Sequence, residues 1–216
     1  MDKKANKINN KANFYTLIGI SYLVVAIIFI LVPTAPYIWY SVYPEATNQE
    51  LEQLSLNIIE HGEDGSILDS ATQINTLPPI DKDLPENPYV VIDKVGIYSP
   101  IEYKENYIET LKKGTWLVPD YGNPMKNNMP IILAAHRFGY SYWDNETRKK
   151  VSFFNLPKTH VGDKIKIYWE QREFTYEIYS EEENTYISDY NADLILYTCK
   201  YFNSPIRIFR YAKATY

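Results

Sequence analysis

Cysteine is almost missing from this sequence of 216 residues; Cys199 is the only one. That excludes an internal disulfide, and no Cys/His pair has the spacing of a zinc site. Glycine is scarce, at 8 residues, and there is no internal repeat. Basic charge is also short: the net charge is −5, and no Lys/Arg stripe is interleaved with aromatics. Nothing therefore points to a nucleic-acid partner. Tyrosine, in contrast, is abundant at 21 residues, and with Val, Ile and Phe it leans the chain towards strands.

Charge is wholly absent from residues 14–32, FYTLIGISYLVVAIIFILV. This run approaches the ~20 residues that a helix needs to span hydrocarbon. Lys3, Lys4, Lys7 and Lys11 precede it, and Pro33, Pro36, Trp39 and several tyrosines follow. The positive-inside rule then predicts a cytoplasmic tail at 1–13, a single transmembrane anchor at 14–32 and everything from about residue 37 outside the plasma membrane. A cleaved signal peptide fits less well, because the run is too long and VPTAPY is a poor cleavage site.

Residues 33–86 read as an extracellular linker. Within it Leu51, Leu54 and Ile58 lie at helical spacing behind a Thr47-x-x-Glu50 box, which predicts a helix over 48–60. HGEDGS ends that helix, and Pro78, Pro79, Pro85 and Pro88 mark an extended connector. From there to residue 216 the texture is of short strands separated by turns. YVVIDKVGIYSPI gives two strands about a glycine, and PIILAAH gives one. DKIKIYW with REFTYEIYS gives a hairpin, and ADLILYTC with PIRIFRYA closes the chain. The fold class is all-β, mainly antiparallel, as a barrel or sandwich. Only NETRKKVSFFNL reads as helix.

A lone cysteine is usually core packing. A nucleophilic one needs a base or cation beside it and donors for the developing oxyanion. His136 ends one apolar strand, Cys199 ends another, and the short KYFNS turn makes the last two strands plausible antiparallel neighbours. Arg207 and Arg210 lie on opposite faces of the final strand, so only one of them can face Cys199, and alternation alone leaves the choice open.

These pieces resemble the sortases, the cysteine transpeptidases of bacterial cell surfaces. ILYTC matches the family's Thr-Leu-x-Thr-Cys strand end at Leu196, Thr198 and Cys199, with Ile195 in place of the first Thr. AAHRFG is similar to its Ala-Gly-His-Arg segment, with Ala135 in place of Gly. VVIDKVGIYSPI, LKKGTW and NLPKTHVGDKIKIY follow in the family's order, so that the resemblance spans about Asn87 to Ala212.

The resemblance implies a closed sortase-type β-barrel at 87–216, with Cys199, His136 and Arg207 in the catalytic positions and Thr198 meeting the substrate. Arg207 is preferred because SPIRIF aligns with the family's arginine segment; Arg210 is the alternative, expected to be dispensable. The implied reaction cleaves an LPxTG-like sorting signal on a secreted protein through a thioacyl-enzyme. Transfer is then to an amine, either of a peptidoglycan precursor or of a pilin lysine. The alternatives are a surface peptidase that hydrolyses the same intermediate and an anchored barrel that only binds. No Asp-Pro-aromatic lid motif precedes the barrel, which argues against a self-blocked pilin-type enzyme.

The remaining features read as structural. LPKTH (156–160) lacks the glycine of a sorting signal, His61 and His160 sit at turns, and Arg137 suggests a salt bridge near the site. SEEENTY (180–186) reads as a solvated loop. Calcium, which some sortases bind, is the one ligand the resemblance raises there, and no other cofactor is expected.

Overall fold

The computed structural model describes residues 17–32, 34 and 77–216, apart from Glu105, Asn127, Ser141 and Asn203. The predicted helix at 48–60, the tail at 1–13 and His61 lie outside the described residues.

Residues 17–32 and Thr34 are helical. Among the described residues no helix is long and apolar enough to cross a membrane. The transmembrane anchor expected over 14–32 is thus not borne out there, and residues 14–16 lie outside the description.

The second unit is a closed barrel of eight strands: β1 (Tyr89–Ile92), β2 (Ile97–Glu102), β3 (Thr115–Leu117), β4 (Ile131–Ala134), β5 (Lys164–Trp169), β6 (Arg172–Asn184), β7 (Leu194–Cys199) and β8 (Arg207–Ala214). Around the barrel the order is β1-β2-β3-β4-β7-β8-β6-β5. Only β2–β3 and β4–β7 pair in parallel. Gly96 makes the β1–β2 turn at φ 70 after a short 3-10 turn, a conformation that suits a residue without Cβ. The β5–β6 hairpin forms as its alternating pattern predicts, with Trp169 opposite Arg172 across a two-residue loop.

Alternation sorts the side chains into two cores. Val90, Ile92, Leu133, Ile165, Phe174, Leu194 and Leu196 belong to the larger cluster, which fills the barrel. Trp116, Ile132, Ala134, Ile195, Tyr197, Cys199, Phe209 and Tyr211 form the second, on the outward face of β3, β4, β7 and β8. That outward face is covered by Leu111 of the helix Tyr107–Leu111 and by Ile187 and Ala192 of the β6–β7 connection. Strands β4 and β7 are thus buried on both faces, which is why their sequences are continuous apolar runs rather than alternating ones.

Three expectations change. The helix Tyr107–Leu111 has no counterpart in the sequence reading, because five residues are too few to show a 3.6-residue period. The helix read from NETRKKVSFFNL is real only over Asn145–Val151, and its Asp144 cap accepts from Thr147 N at 2.6 Å. The acidic stretch is not a solvated loop over Ser180–Asn184, because those residues continue β6 beside β8. Its carboxylates are engaged: Glu181 pairs with Arg210 at 3.3 Å, Glu182 accepts from Tyr211 at 3.0 Å, and Glu183 pairs with Lys200. Among the described residues no three His, Cys, Asp or Glu side chains are grouped to hold a metal.

Arg210 is a buried structural hub. Its Nε donates to Thr159 O at 3.2 Å and to Thr159 Oγ1 at 2.9 Å, and Nη1 donates to Phe209 O at 2.8 Å. Arg210→Met should therefore lower unfolding stability by about 2–4 kcal/mol, because it strands those acceptors and Glu181. A denaturant titration checks this, and an unchanged midpoint would show that the network contributes nothing net.

Candidate active site

Two strands flank β7, and both direct a polar residue to its last position. In the antiparallel partner, the β7–β8 register runs unbroken and sets Cys199 directly opposite Arg207. Opposed residues share a face, so Arg207, Phe209 and Tyr211 lie on the outward side with Cys199. Arg210 instead opposes Leu196, whose side chain enters the barrel core. The choice left open by alternation is thereby settled as geometry.

In the parallel partner, Ala134 lies level with Tyr197. Beyond β4 the contact continues: Ala135 N donates to Tyr197 O at 3.4 Å, and Thr198 Oγ1 donates to Ala135 O at 2.8 Å. One residue past His136, the Arg137 guanidinium donates from Nη1 to Lys200 O. His136 and Cys199 are therefore bracketed, with a hydrogen bond between their preceding neighbours and another between their following ones. Lys200 N donates to Ile206 O at 2.9 Å, which closes the connection from Cys199 to Arg207 in the same way.

Cys199 is buried rather than at an exposed strand end, with 8% of its surface accessible. Beneath it lies an aromatic floor of Tyr197, Phe209 and Tyr211, in which the Tyr197 and Phe209 rings are 5.7 Å apart. The β6–β7 connection is fastened above by Tyr211, whose hydroxyl accepts from Ser188 N at 3.1 Å and donates to Glu182. The Tyr197 hydroxyl is buried without a hydrogen-bond partner among the described residues.

His136 is also buried, and burial pulls its pKa from an ordinary 6.5 to about 4. The ring is therefore neutral at physiological pH. Its Nε2 meets the Tyr140 hydroxyl at 3.1 Å, and the two rings contact edge to face at 5.0 Å. Arg207 is buried too, and it donates to the carbonyls of Ser204 and Ile206; no carboxylate pairs with it among the described residues. It thus brings an uncompensated cation to the end of β7.

Other predicted residues are placed differently. Thr198 lies on the face opposite Cys199, and its hydroxyl is taken up by Ala135 O. His160 is exposed and contacts Glu181 at 3.2 Å, and Leu156 of LPKTH is packed in the barrel core. Arg137 makes no salt bridge among the described residues. It bonds Lys200 O and lies over the Phe138 ring at 5.1 Å. Burial lowers its pKa, while Cys199, Tyr201 and Glu183 pull the other way, so that it is a second cation near the thiol. Its position next to His136 at a strand end was the only available signal. Tyr140 carried none, because a loop has no periodicity.

A sortase-domain family model matches residues 90–215. The chain belongs to the sortase family. Solved structures similar to this sortase include sortase A of Corynebacterium diphtheriae, in a lid mutant, at 18% identity over 61% of this chain and 71% of that chain, TM-score 0.48. A sortase D5 transpeptidase of Clostridium perfringens matches at 21% identity over 64% and 83%, TM-score 0.47. Sortase C1 of Streptococcus agalactiae matches at 19% over 79% and 90%, TM-score 0.48. No curated relative matches the sequence. Sortases are cysteine transpeptidases of the cell envelope, and this sortase has one cysteine to offer.

The buried neutral ring has a consequence for stability. The unfolded chain takes up a proton at His136 below about pH 6.5, whereas the folded chain does so only near 4. His136 should therefore cost nothing above pH 6.5 and destabilise the barrel progressively as pH falls towards 4, by about 3 kcal/mol at most. His136→Gln should remove that part of the acid sensitivity in paired denaturant titrations. Identical pH dependence in the two proteins would show that the ring is not held neutral.

Proposed function

We propose that this sortase is a sorting-signal transpeptidase with Cys199 as nucleophile, His136 as general base and acid, and Arg207 as the oxyanion donor. The observation that carries this reading is the meeting of the three strand ends around Cys199. Its roles follow from chemistry. As the Cys199 sulfur attacks the scissile carbonyl carbon, its proton passes to neutral His136, and the C–N bond then breaks as the imidazolium protonates the leaving amine. The product is a thioester on Cys199. An incoming amine attacks that thioester, His136 takes the amine's proton, and the sulfur leaves and recovers it.

Arg207 is suited to the carbonyl oxygen because its guanidinium stays charged and offers several donors in a dry site. Thr198 would meet the acyl donor through its backbone, while its hydroxyl holds β4 to β7. The acyl donor is an LPxTG-like signal at the C-terminus of a secreted protein, by the family resemblance. The acceptor is the amine of a peptidoglycan precursor or of a pilin lysine. For a single-pass tether the support is the sequence alone, an uncharged run at 14–32 behind Lys3, Lys4, Lys7 and Lys11, which by the positive-inside rule would leave the tail inside and the barrel outside.

Incubating the full chain with a library of sorting-signal peptides and a glycine or lysine amine should give a thioacyl adduct on Cys199 and an amine-linked product by mass spectrometry. Cys199→Ala should give neither, and Arg207→Ala should lower kcat/KM by about 10²–10³-fold. Adduct followed only by hydrolysis would overturn the transfer reading, and no adduct with any peptide would leave a binding module.

A further inference from the structure

The loop after β4 is built to deliver one hydroxyl. Arg148, from the helix Asn145–Val151, gathers the loop's carbonyls: Nε donates to Phe138 O at 2.6 Å, and Nη2 donates to Tyr140 O at 3.3 Å and Trp143 O at 3.2 Å. Gly139 turns the chain at φ 69, where a Cβ would lie 2.2 Å from the Trp143 ring. Only glycine lets that indole close against the loop. Tyr140 is then wedged between Trp143, edge to face at 5.4 Å, and Tyr142, stacked at 5.3 Å, with its hydroxyl on His136 Nε2. Nδ1 of His136 has no hydrogen-bond partner among the described residues.

We propose that Tyr140 is a positioning residue that holds His136 through Nε2 in both of its protonation states, leaving Nδ1 to exchange protons with the sulfur and the amines. The proposal rests on the transpeptidase reading above and adds to it the group that keeps the base in place. Towards the neutral ring it accepts from Nε2–H, which fixes the proton on Nε2 and leaves the Nδ1 lone pair to take the thiol's proton. Towards the imidazolium it still accepts from Nε2–H, so the ring keeps its orientation through the cycle. No proton leaves Tyr140 in either arrangement, and burial raises its pKa well out of the working range. Cys199 of β7 and Arg207 of β8 oppose each other in register, Arg137 follows His136 on its own loop, and Glu109 of the helix Tyr107–Leu111 acts on Tyr140.

The test is Tyr140→Phe, which keeps the ring contacts and removes only the hydroxyl. Nitrogen-15 histidine NMR of the full chain, with the signal assigned by His136→Gln, reports the tautomer independently of turnover. At neutral pH the native protein should show Nε2–H with an unprotonated Nδ1, and Tyr140→Phe should show a tautomer mixture. Transfer should lose kcat on the order of tenfold with KM about unchanged. An unchanged His136 spectrum in Tyr140→Phe would overturn the proposal, as would a changed spectrum with native kcat. If the native protein transfers nothing, the functional reading fails, while the spectrum still decides whether Tyr140 holds the ring.

Discussion

Strand β7 has a parallel neighbour on one side and an antiparallel neighbour on the other, and the site follows from that single constraint. A parallel partner ends where β7 ends, so the residue that leaves β4 arrives beside Cys199. An antiparallel partner begins where β7 ends, so the first residue of β8 arrives there too. His136 and Arg207 are 71 positions apart in the chain, yet the β7–β8 ladder fixes Arg207, and the β4–β7 ladder, extended by the Thr198 and Arg137 side-chain bonds, fixes His136. The pairing survives because β4 and β7 are buried on both faces, which makes any slip of register costly: moving by one residue would exchange the barrel-facing and outward sets.

Charge is divided between the two faces by the same alternation. Arg207 and Arg210 are an odd number of residues apart, so one faces outward and the other inward. The inward arginine is consumed by Thr159, Phe209 O and Glu181. Among the described residues the outward one bonds only carbonyl oxygens and pairs with no carboxylate, opposite Cys199 in the register. His136 contributes no charge there at neutral pH, because burial holds it neutral. On the proposed reading the charge near Cys199 is then that of guanidinium groups, and the histidine acts as the proton carrier.

Much of this was legible in the sequence, for identifiable reasons. LILYTC and PIILAAH are apolar at every position, and such runs mark strands covered on both sides. The KYFNS turn is short enough to pair β7 with β8, which brings one of Arg207 and Arg210 to Cys199, and the register makes it Arg207. What escaped was set by tertiary context. Cys199 is buried in a cluster that takes in Ile187 and Ala192 of the β6–β7 connection, and no local pattern shows that assembly. LILYTC is divided residue by residue, with Leu194 and Leu196 inward and Ile195, Tyr197 and Cys199 outward. The acidic stretch looked solvated because its neutralising partners, Arg210 and Lys200, come from elsewhere in the chain.

The most direct test of this account is the pH dependence of Cys199 alkylation by a small neutral reagent, measured on the full chain, where no other thiol competes. If guanidinium charge governs the sulfur, Arg207→Gln moves the midpoint of the alkylation profile to higher pH, while His136→Gln leaves it nearly in place above pH 6.5. A profile that moves with His136 and ignores Arg207 would contradict the account, because the histidine would then be the cation beside the thiol.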